Sequence, residues 1–542
     1  MRAALYRWRW ALLLSGAVLT GLCVVFPQIG MLEWVALIPA AAAILTVTAD
    51  PTVSLRRLYG MGLAFFQCYF MVNFHWFLYM YPMDFAGLGN AESLVVVFVA
   101  WMGLSAFQAV GAALVFPMMG VAVRGKFLAD RPILHPVVLT ALWVSLEWWQ
   151  ANSGWSGVPW ARLPLGQAEL LPALQSASLL GSYFVTALIV AVNAYLAYIL
   201  LHPDRRLLCG LLAGGLFGSN LLFGGLYMAT LPAAEDTLRV AAIQGNLSSH
   251  DKWGSDSMAI TQSVYADLTR RAVAEGAELV VWSETAIPAT VYAGGSVREY
   301  LCALSEECGV PILAGVFYPE KGTDRVYNSI VVALPDGTIH DTVYHKRNPV
   351  PFGEFVPWRN LVMTLMPPLG EIGMLADDLL VGDESTVFDL EAGRVGSMIC
   401  FDSIYERNAL ESVRNGAELL AVSTNDSWFK DSRGVWMHNA QSRLRAIETG
   451  RFVIRSANTG VSSAITPTGE MVDSLGALLE GYVLSEVGLS SRTTVYTVVG
   501  NAFAYLCVVL CGVAVAASLA VRVKVKLVKN GRKREQELTE YK

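Results

Sequence analysis

The chain has 542 residues, of which 54% are hydrophobic and 15% are charged. This composition is too apolar and too poor in charge for one soluble domain, and it predicts a membrane bundle joined to a soluble domain. The formal net charge of −6 is small and gives no indication of a nucleic-acid partner. The eight cysteines show no CxxC spacing and no Cys/His cluster, so the sequence predicts no metal site.

Eight long apolar runs predict membrane-spanning helices, because about 20 apolar residues are needed to cross a hydrocarbon layer of ~30 Å. The runs lie near Ala11–Pro27, Trp34–Thr48, Leu58–Met80, Ser93–Val123, Leu134–Gln150, Leu171–Leu201, Leu207–Thr230 and Val495–Val521. The first run is also compatible with a secretory signal peptide, but the further spans favour a retained helix.

Basic residues precede the first run and follow the second, fourth, sixth and last runs. This pattern predicts the orientation of the bundle because cytoplasmic loops are rich in Lys and Arg. These residues are Arg2, Arg7, Arg9, Arg56, Arg57, Arg124, Lys126, Arg131, Arg205, Arg206 and the tail VRVKVKLVKNGRKR. The other short loops carry only Arg162. Both termini are therefore predicted to be cytoplasmic, and everything between the seventh and eighth runs is predicted to lie outside.

Residues 233–494 differ from the rest, because charged residues return and period-2 apolar runs alternate with helical patterns. Strands that alternate with helices predict an α/β layered domain. The predicted organisation is a seven-helix membrane domain at 1–232, an extracytoplasmic domain at 233–494, an eighth spanning helix at 495–521 and a basic cytoplasmic tail at 522–542.

The first candidate catalytic residue is Glu284 in VVWSETAIP, directly after a predicted strand. A carboxylate held at an apolar strand end would have a raised pKa and would suit a general base. Taken alone, a residue in this position is more often an ordinary helix N-terminal or surface carboxylate, so this stretch does not establish a catalytic role for Glu284.

The second candidate region is VYHKRNPVPFGEFVPW, in which Lys346 precedes a loop of prolines and aromatic residues. Taken alone, Lys346 is compatible with a plain surface lysine. The loop carries Glu354 between Gly353 and Phe355. A charge in such surroundings requires a hydrogen-bonding partner, so Glu354 is predicted to have one.

The third candidate is Cys400 in RVGSMICFDSIYE, at the end of a short apolar strand. A cysteine in a strand is usually a core residue. A thiol becomes a nucleophile when a base and a positive charge lie nearby. Glu284 would supply the base, and Lys346 would supply a cation that also stabilises an oxyanion.

The order Glu284, Lys346, Cys400, each in its own local context, resembles the nitrilase superfamily, which implies a Glu–Lys–Cys catalytic set on an αββα sandwich. With seven apolar runs before this domain and one after it, the whole chain resembles the apolipoprotein N-acyltransferase family. Further segments that match the family are IQGNLSSHDKW, VPFGEFVP, STNDSWF, RSANTGVSSAITPTG and LEWWQANSGWSGVPW. The resemblance implies site roles for Trp253 and Glu354.

One departure from the family concerns the two residues after Cys400. They are Phe401 and Asp402, where the family commonly has Tyr and Glu. Asp402 keeps the charge with a shorter reach, and Phe401 lacks the hydroxyl. Activity is expected because the Glu–Lys–Cys set is complete, and the departure is expected to bear on positioning or on the choice of acceptor.

The resemblance implies transfer of a fatty acyl chain from a membrane phospholipid, through a cysteine thioester, to the α-amine of the N-terminal S-diacylglyceryl-cysteine of an apolipoprotein. It implies no cofactor and a location in the bacterial inner membrane, and a monomer is expected. Two alternatives are a membrane-tethered amidase that uses water as acceptor and a transporter or receptor bundle with a degenerate external domain. The absence of paired intramembrane charges in the sequence argues against the last.

Two features outside the catalytic set have open interpretations. The apolar segment Leu361–Leu375 is either a buried core loop or a lid that admits lipid. Glu147, near the outer end of the fifth run, is either a carboxylate at the membrane interface or part of the substrate cavity.

Overall fold

The structure is a computed structural model that describes residues 2–83, 88–248, 252, 257–365 and 377–520. Two regions make up the described chain. We call residues 2–230 together with 502–520 the helical region, and residues 236–489 the sheet region.

The helices of the helical region follow the apolar runs of the sequence. They are α1 Arg2–Arg7, α2 Arg9–Val25, α3 Glu33–Ala36, α4 Ile38–Ala49, α5 Leu55–Asn73, α6 Asn90–Ala112, α7 Val115–Val123, α8 Lys126–Ala129, α9 His135–Asn152, α10 Leu171–Leu174, α11 Ala177–Leu180, α12 Ser182–Leu201 and α13 Arg206–Thr230. Five helical segments are long and apolar enough to cross a membrane, by length and composition: Pro27–Ala49, Asn90–Val123, Ser182–Leu201, Pro203–Thr230 and Ala502–Ala520. The prediction of several apolar helices in this part of the chain is confirmed.

Several predicted spans are not single helices. The run Leu171–Leu201 is broken at Gly181, whose φ is +78°. A Cβ at Gly181 would lie 2.6 Å from a ring carbon of Tyr496, so the chain bends where another segment approaches closely. The last run is likewise divided at Gly500, with φ +58°. Hydropathy reports apolar length, and it does not report these local breaks.

The sheet region contains two six-stranded sheets of the same design. The strands are β1 Asp236–Gln244, β2 Leu279–Val281, β3 Ile312–Pro319, β4 Val326–Ala333, β5 Tyr344–His345, β6 Val387–Leu390, β7 Gly393–Ile399, β8 Leu419–Thr424, β9 Phe452–Ala457, β10 Ser462–Ile465, β11 Met471–Leu475 and β12 Gly481–Leu489. The first sheet has the order β12-β1-β2-β3-β4-β5 and the second β11-β10-β9-β8-β7-β6. In each sheet three neighbouring strands are parallel, namely β1, β2 and β3 or β7, β8 and β9.

The helices of the sheet region cover the outer faces of the two sheets. They are α14 Ser257–Ala274, α15 Ser296–Cys308, α16 Arg359–Leu365, α17 Glu406–Arg414 and α18 Arg433–Thr449, and α19 Val495–Val499 and α20 Ala502–Ala520 follow. Buried residues of α14 and α15 pack on the first sheet, and buried residues of α17 and α18 pack on the second. A third core, with Val281 and Leu313 facing Val395 and Ile454, fills the space between the sheets. The predicted αββα sandwich is confirmed.

Helix α18 lies between the second sheet and the helical region, and nearly all of its residues are buried. Glu147 of α9 also lies inside this contact zone. Its carboxylate accepts hydrogen bonds from the backbone N–H of Leu163 at 3.1 Å and from the hydroxyl of Thr186 at 2.6 Å. Glu147 is therefore enclosed by the protein, and its position relative to the membrane interface stays a prediction.

Candidate active site

Cys400 lies at the carboxyl end of β7, in the short 3-10 turn Cys400–Ile404, which we call the Cys400 turn. Its φ is +50°, a value that non-glycine residues rarely adopt and that costs about 1–3 kcal/mol. The Ser403 hydroxyl donates to the carbonyl oxygen of Cys400 at 2.7 Å. Residues in such strained conformations persist only where the surrounding structure holds them, and they cluster at active sites.

Glu284 follows β2 of the first sheet and is 5% exposed. Its carboxylate accepts hydrogen bonds from Lys346 Nζ at 2.7 Å, from Asn328 Nδ2 at 2.9 Å and from the backbone N–H of Asn425 at 2.9 Å. Burial by itself would raise the pKa of Glu284, but Lys346, Lys252 and the hydrogen bond from Asn328 lower it below its usual value. The sequence-based prediction of a raised pKa is wrong, because it considered burial without the cations.

Lys346 follows β5 and bridges two carboxylates. Its Nζ lies 2.7 Å from Glu284 Oε1 and 2.8 Å from Glu354 Oε2, and the side chain is buried. Burial would lower the pKa of Lys346, yet the two carboxylates raise it well above its usual value. Lys346 is therefore a permanent ammonium, and its interpretation as a surface lysine is excluded.

Glu354 has the hydrogen-bonding partners that its surroundings require. Besides Lys346, Asn328 Nδ2 donates to it at 2.9 Å and the backbone N–H of Val350 donates at 2.8 Å. Asn328 thus donates to both Glu284 and Glu354 and fixes the distance between them. The prediction of a partner for Glu354 is confirmed.

The charges of Glu284 and Lys346, which follow strands of the opposite sheet, affect the pKa of the Cys400 thiol. Burial raises the pKa of the Cys400 thiol, Glu284 raises it further, and Lys346 opposes both. The two sheets are tied at this edge by the Ser423 hydroxyl, which donates to the carbonyl oxygen of Trp282 at 2.8 Å. Burial and Glu284 therefore favour the protonated thiol, Lys346 favours the thiolate, and the Glu284 carboxylate is a candidate acceptor for the thiol proton.

Asp402 is a fully buried residue within the Cys400 turn. It accepts hydrogen bonds from the hydroxyl of Tyr344 at 2.8 Å and from the backbone N–H groups of Asn348 at 2.7 Å and Ile399 at 3.2 Å. These donors belong to the segment around Lys346 and to the end of β7. Asp402 therefore fastens the lysine segment to the Cys400 turn, and its short side chain fits this position.

The other two predicted site residues differ in their surroundings. Phe401 is half-buried, and its ring meets that of Tyr405 edge-on at 5.6 Å. It packs against the core of the helical region. Trp253 lies outside the described residues.

Several residues of the site were not predicted from the sequence. Lys252 is buried, and its Nζ donates to the carbonyl oxygen of Glu284 at 2.9 Å. Burial lowers the pKa of Lys252 to about 8. His438 Nε2 lies 3.2 Å from the carbonyl oxygen of Cys400, and its Nδ1 lies 2.8 Å from Asp426. The position of Lys252 next to Trp253, in the segment IQGNLSSHDKW, could have indicated Lys252. No local feature of the sequence indicates His438.

Cys400, Asp426 and His438 have ligand atoms within 4.8 Å of one another, the kind of grouping that can bind a metal ion. A second oxygen of Asp426 accepts from Arg455 Nη2 at 2.8 Å. The guanidinium therefore already balances this carboxylate, and the donor set fits a hydrogen-bonded support for the Cys400 turn better than a cation site.

This geometry defines the class of protein: a carboxylate, an ammonium and a thiol meet at the strand ends of an αββα sandwich that is joined to apolar helices. Residues 239–496 match the carbon-nitrogen hydrolase family, and residues 15–195 match the apolipoprotein N-acyltransferase N-terminal domain.

Similar proteins agree with these two matches. The chain is 30% identical over 475 residues to the apolipoprotein N-acyltransferase of Gloeobacter violaceus, with 88% of this chain and 87% of that protein covered. It is 32% identical over 443 residues to that of Methylococcus capsulatus, with 80% and 81% covered. Nit3 of Saccharomyces cerevisiae, a nitrilase-superfamily structure, aligns with a TM-score of 0.38 and 20% identity over 47% of this chain and 91% of that chain. The chain belongs to the apolipoprotein N-acyltransferase family, as the sequence motifs predicted.

Proposed function

We propose that the chain transfers a fatty acyl chain from a membrane phospholipid to the α-amine of the N-terminal S-diacylglyceryl-cysteine of apolipoproteins, with Cys400 as the nucleophile. The observation that carries the proposal is the buried ion pair of Glu284 and Lys346, both of which act electrostatically on the Cys400 thiol. Glu354 pairs with the same lysine. Membership of the family supports the nature of donor and acceptor.

The first half-reaction forms a thioester. Glu284, ionised because of its cations, takes the proton of the Cys400 thiol as the sulfur attacks the ester carbonyl carbon of the phospholipid. The ammonium of Lys346 and backbone N–H groups stabilise the oxyanion. The carbon–oxygen bond then breaks, Glu284 returns the proton to the leaving alkoxide, and a lysophospholipid departs.

The second half-reaction forms the amide. The neutral α-amine of the acceptor attacks the thioester carbonyl carbon, and Glu284 takes the proton that the amine loses. The carbon–sulfur bond breaks, and the Cys400 sulfur regains a proton from Glu284. The direction is favourable because a thioester is more reactive than the amide that replaces it.

A membrane-tethered amidase would share the first half-reaction and use water in the second. Family membership and the apolar helices favour a lipid-borne acceptor instead. The two functions differ only in what discharges the thioester, so the experiment below separates them.

We also propose the membrane arrangement predicted from the basic residues. Eight spans, with the carbon-nitrogen hydrolase domain at 233–494 inserted between the seventh and the eighth, would place this domain on the outer side of the bacterial cell membrane. Both termini and the tail at 522–542 would then be cytoplasmic. The membrane domain would cover 1–232 and the last span 495–521, in a protein that acts as a monomer.

We propose that the predicted segment Leu361–Leu375, together with Trp358 just before it, forms a lid toward the lipid. Trp358 and Leu361 are 66% and 56% exposed, which does not support a buried core loop at these positions. The Trp358 ring meets that of Trp155, in the helical region, edge-on at 4.7 Å. Residues 366–375 of the predicted lid lie outside the described residues.

The direct test uses purified full-length protein and phospholipid micelles without acceptor. Mass spectrometry should find an acyl adduct on the peptide that contains Cys400, and Cys400→Ala should show none. A diacylated lipopeptide added next should discharge the adduct as an N-acyl amide. Discharge by water at the same rate would support the amidase, and an adduct that persists in Cys400→Ala would refute the role of Cys400.

A further inference from the structure

A group of buried polar residues lies where the helical region meets the sheet region, and the proposed mechanism does not use it. We call it the junction cluster, and its members are Arg162, Tyr183, Glu406, Arg445 and Glu448. The first two belong to the helical region and the other three to α17 and α18. Charged residues from both regions therefore meet out of contact with solvent.

Glu406 is at the centre of the junction cluster. One of its carboxylate oxygens accepts from Arg162 Nη1 at 3.3 Å, and the other accepts from the Tyr183 hydroxyl at 2.5 Å. Arg445 Nη1 lies 3.9 Å from the first oxygen. The guanidinium carbon of Arg162 lies 4.3 Å from the centroid of the Tyr183 ring. A buried carboxylate must be paired, so these contacts fix Glu406 against the helical region.

Glu406 is also connected to the site. It is the first residue of α17, and the Cys400 turn ends two residues before it. From the first turn of α17, Asn408 Nδ2 donates to a carbonyl oxygen within the Cys400 turn at 2.8 Å. Tyr405 lies between the Cys400 turn and Glu406 in the sequence. Its hydroxyl donates to the carbonyl oxygen of Gly157 in the helical region at 3.1 Å. The far end of the Cys400 turn is thus fastened to the helical region.

The Cys400 turn needs such support. A non-glycine residue at φ +50° persists only where its surroundings hold it. Asp402 holds the turn from the side of the sheet, and Glu406 holds it from the side of the helical region. If the second attachment is loosened, the thiol can relax away from its position opposite Lys346.

We propose that Arg162 is a positioning residue for the nucleophile: through Glu406 it holds the Cys400 turn in the conformation that presents the thiol to the acyl donor. This inference rests on the proposed role of Cys400. It gives the helical region a part in the chemistry, in addition to anchoring the protein in the membrane.

The test compares wild-type protein with Arg162→Lys, both full-length. Lysine keeps the charge but lacks the planar fork that contacts both Glu406 and Ser182. The rate of adduct formation on Cys400 is measured over a series of phosphatidylethanolamine concentrations in mixed micelles. We expect the maximal rate to fall about 10- to 100-fold and the KM for phospholipid to stay within about twofold, since misplacement of about 1 Å has effects of this order. The pH profile of Cys400 alkylation by iodoacetamide should shift as well.

The chain offers a matched control in the ion pair Arg443–Glu169, which also joins the two regions, with 3.0 Å between Nη1 and Oε1. The second contact of Arg443 is the carbonyl oxygen of Gly469, in the turn between β10 and β11. Glu169→Gln should leave the acylation rate and the alkylation profile as in wild type. An equal loss in this variant would show that any weakened docking slows acylation, and it would overturn the specific role of Arg162.

Tyr183→Phe removes a single hydroxyl donor to Glu406, and it decides the question if Arg162→Lys does not fold. The expected result is a smaller loss of maximal rate, about 3- to 10-fold, again with unchanged KM, since one hydrogen bond to the carboxylate is removed and the contacts of Arg162 remain. Folded variants that acylate at the wild-type rate with the wild-type pH profile would refute the positioning role. Wild-type protein without an adduct would instead refute the role of Cys400, so the two failures are distinguishable.

Discussion

The outward-facing side chains differ between the two regions of the molecule. In the helical region, leucines such as Leu211 and Leu222 are 66% and 64% exposed on long helices. In the sheet region the outer faces of both sheets are covered by amphipathic helices, and α17 turns Ala409 and Val413 inward. The same physical rule, that apolar groups leave water, gives opposite surfaces because lipid faces one region and water faces the other.

Buried charge also differs in its use. At the strand ends of the sheet region, Glu284 and Lys346 are paired, and both act on the pKa of the Cys400 thiol. At the junction, Arg162 and Glu406 are paired inside a closed contact. A buried pair that adjoins a reactive group can do chemistry, and a buried pair that is enclosed can only hold position. The following changes test these differences, from the largest expected effect to the smallest.

Cys400→Ala removes the proposed nucleophile from the sheet region and leaves the helical region untouched. We expect N-acylation of a diacylated lipopeptide to fall by roughly 10³-fold or more, because no covalent intermediate can form. Membrane extraction and thermal unfolding in detergent should match wild type. Substantial residual turnover would mean that another group carries the acyl chain.

Lys346→Met leaves Glu284 and Glu354 buried without their shared cation. We expect activity to fall about 10²- to 10³-fold through loss of oxyanion stabilisation. Stability should fall by about 3–5 kcal/mol, because an uncompensated buried charge remains. Without Lys346, burial raises the pKa of Glu284, so the acid limb of the acylation rate should move to higher pH. Lys346→Arg, measured in parallel, keeps the charge and should recover most of the stability.

Leu211→Asp and Val472→Asp place the same charge on exposed positions of the two regions. At Leu211 the charge would face hydrocarbon and oppose insertion by about 2.5–3.5 kcal/mol. At Val472, which is 51% exposed on β11, the change should stay within about 0.5 kcal/mol. The measurements are the membrane-inserted fraction and thermal unfolding. Equal effects at the two positions would contradict the assignment of lipid to one region and water to the other.

Lys252 should set an alkaline limb of the acylation rate. Its pKa is lowered from 10.5 to about 8, so the ammonium beside Glu284 is lost as the pH rises through that value. We expect the rate to decline above this pH in wild type and Lys252→Met to lack the step. The unfolded chain binds this proton more strongly, so folding stability should increase as the pH rises from about 8 toward 10.5. An unchanged pH profile in Lys252→Met would count against the assignment.

Trp358→Ser and Leu361→Ser test the proposed lid. Both residues are exposed, so stability should change by no more than about 0.5 kcal/mol. The rate with phospholipid micelles should fall several-fold, roughly threefold to tenfold, if these side chains help lipid to enter. Alkylation of Cys400 by a water-soluble reagent serves as control and should be unaffected. Equal slowing of both reactions would indicate damage to the site and not to a lid.

The fold was predictable to the extent that its signals are local. The short apolar runs of β1, β4 and β8 mark buried strands wherever they pair. The partner of β1 across Asp236–Leu489 comes from a strand about 250 residues later, and nothing within either segment specifies that pairing. The break at Gly181 likewise depends on the approach of Tyr496 from a distant segment. Hydropathy therefore predicted where the helical region lies, and it did not predict how its helices are divided.

The candidate site shows the same limit. Glu284, Lys346 and Cys400 were predicted because each follows a strand in a distinctive local context. His438 and Asn328 were not, because a histidine on a helix and an asparagine in a strand look ordinary until folding places them beside the site. The pKa of Glu284 was predicted in the wrong direction, since burial is a local expectation and the neighbouring ammonium groups are not.

The sequence by itself determined which segments leave water, which form strands and which residues are candidates for the chemistry, because these properties depend on near neighbours along the chain. Only the tertiary structure decided the direction of the pKa shift of Glu284, the hydrogen bonds that Asp402 accepts and the burial of Glu406 against Arg162. Electrostatic and hydrogen-bonding energies depend on distances between residues that are far apart in sequence, and those distances exist only after folding.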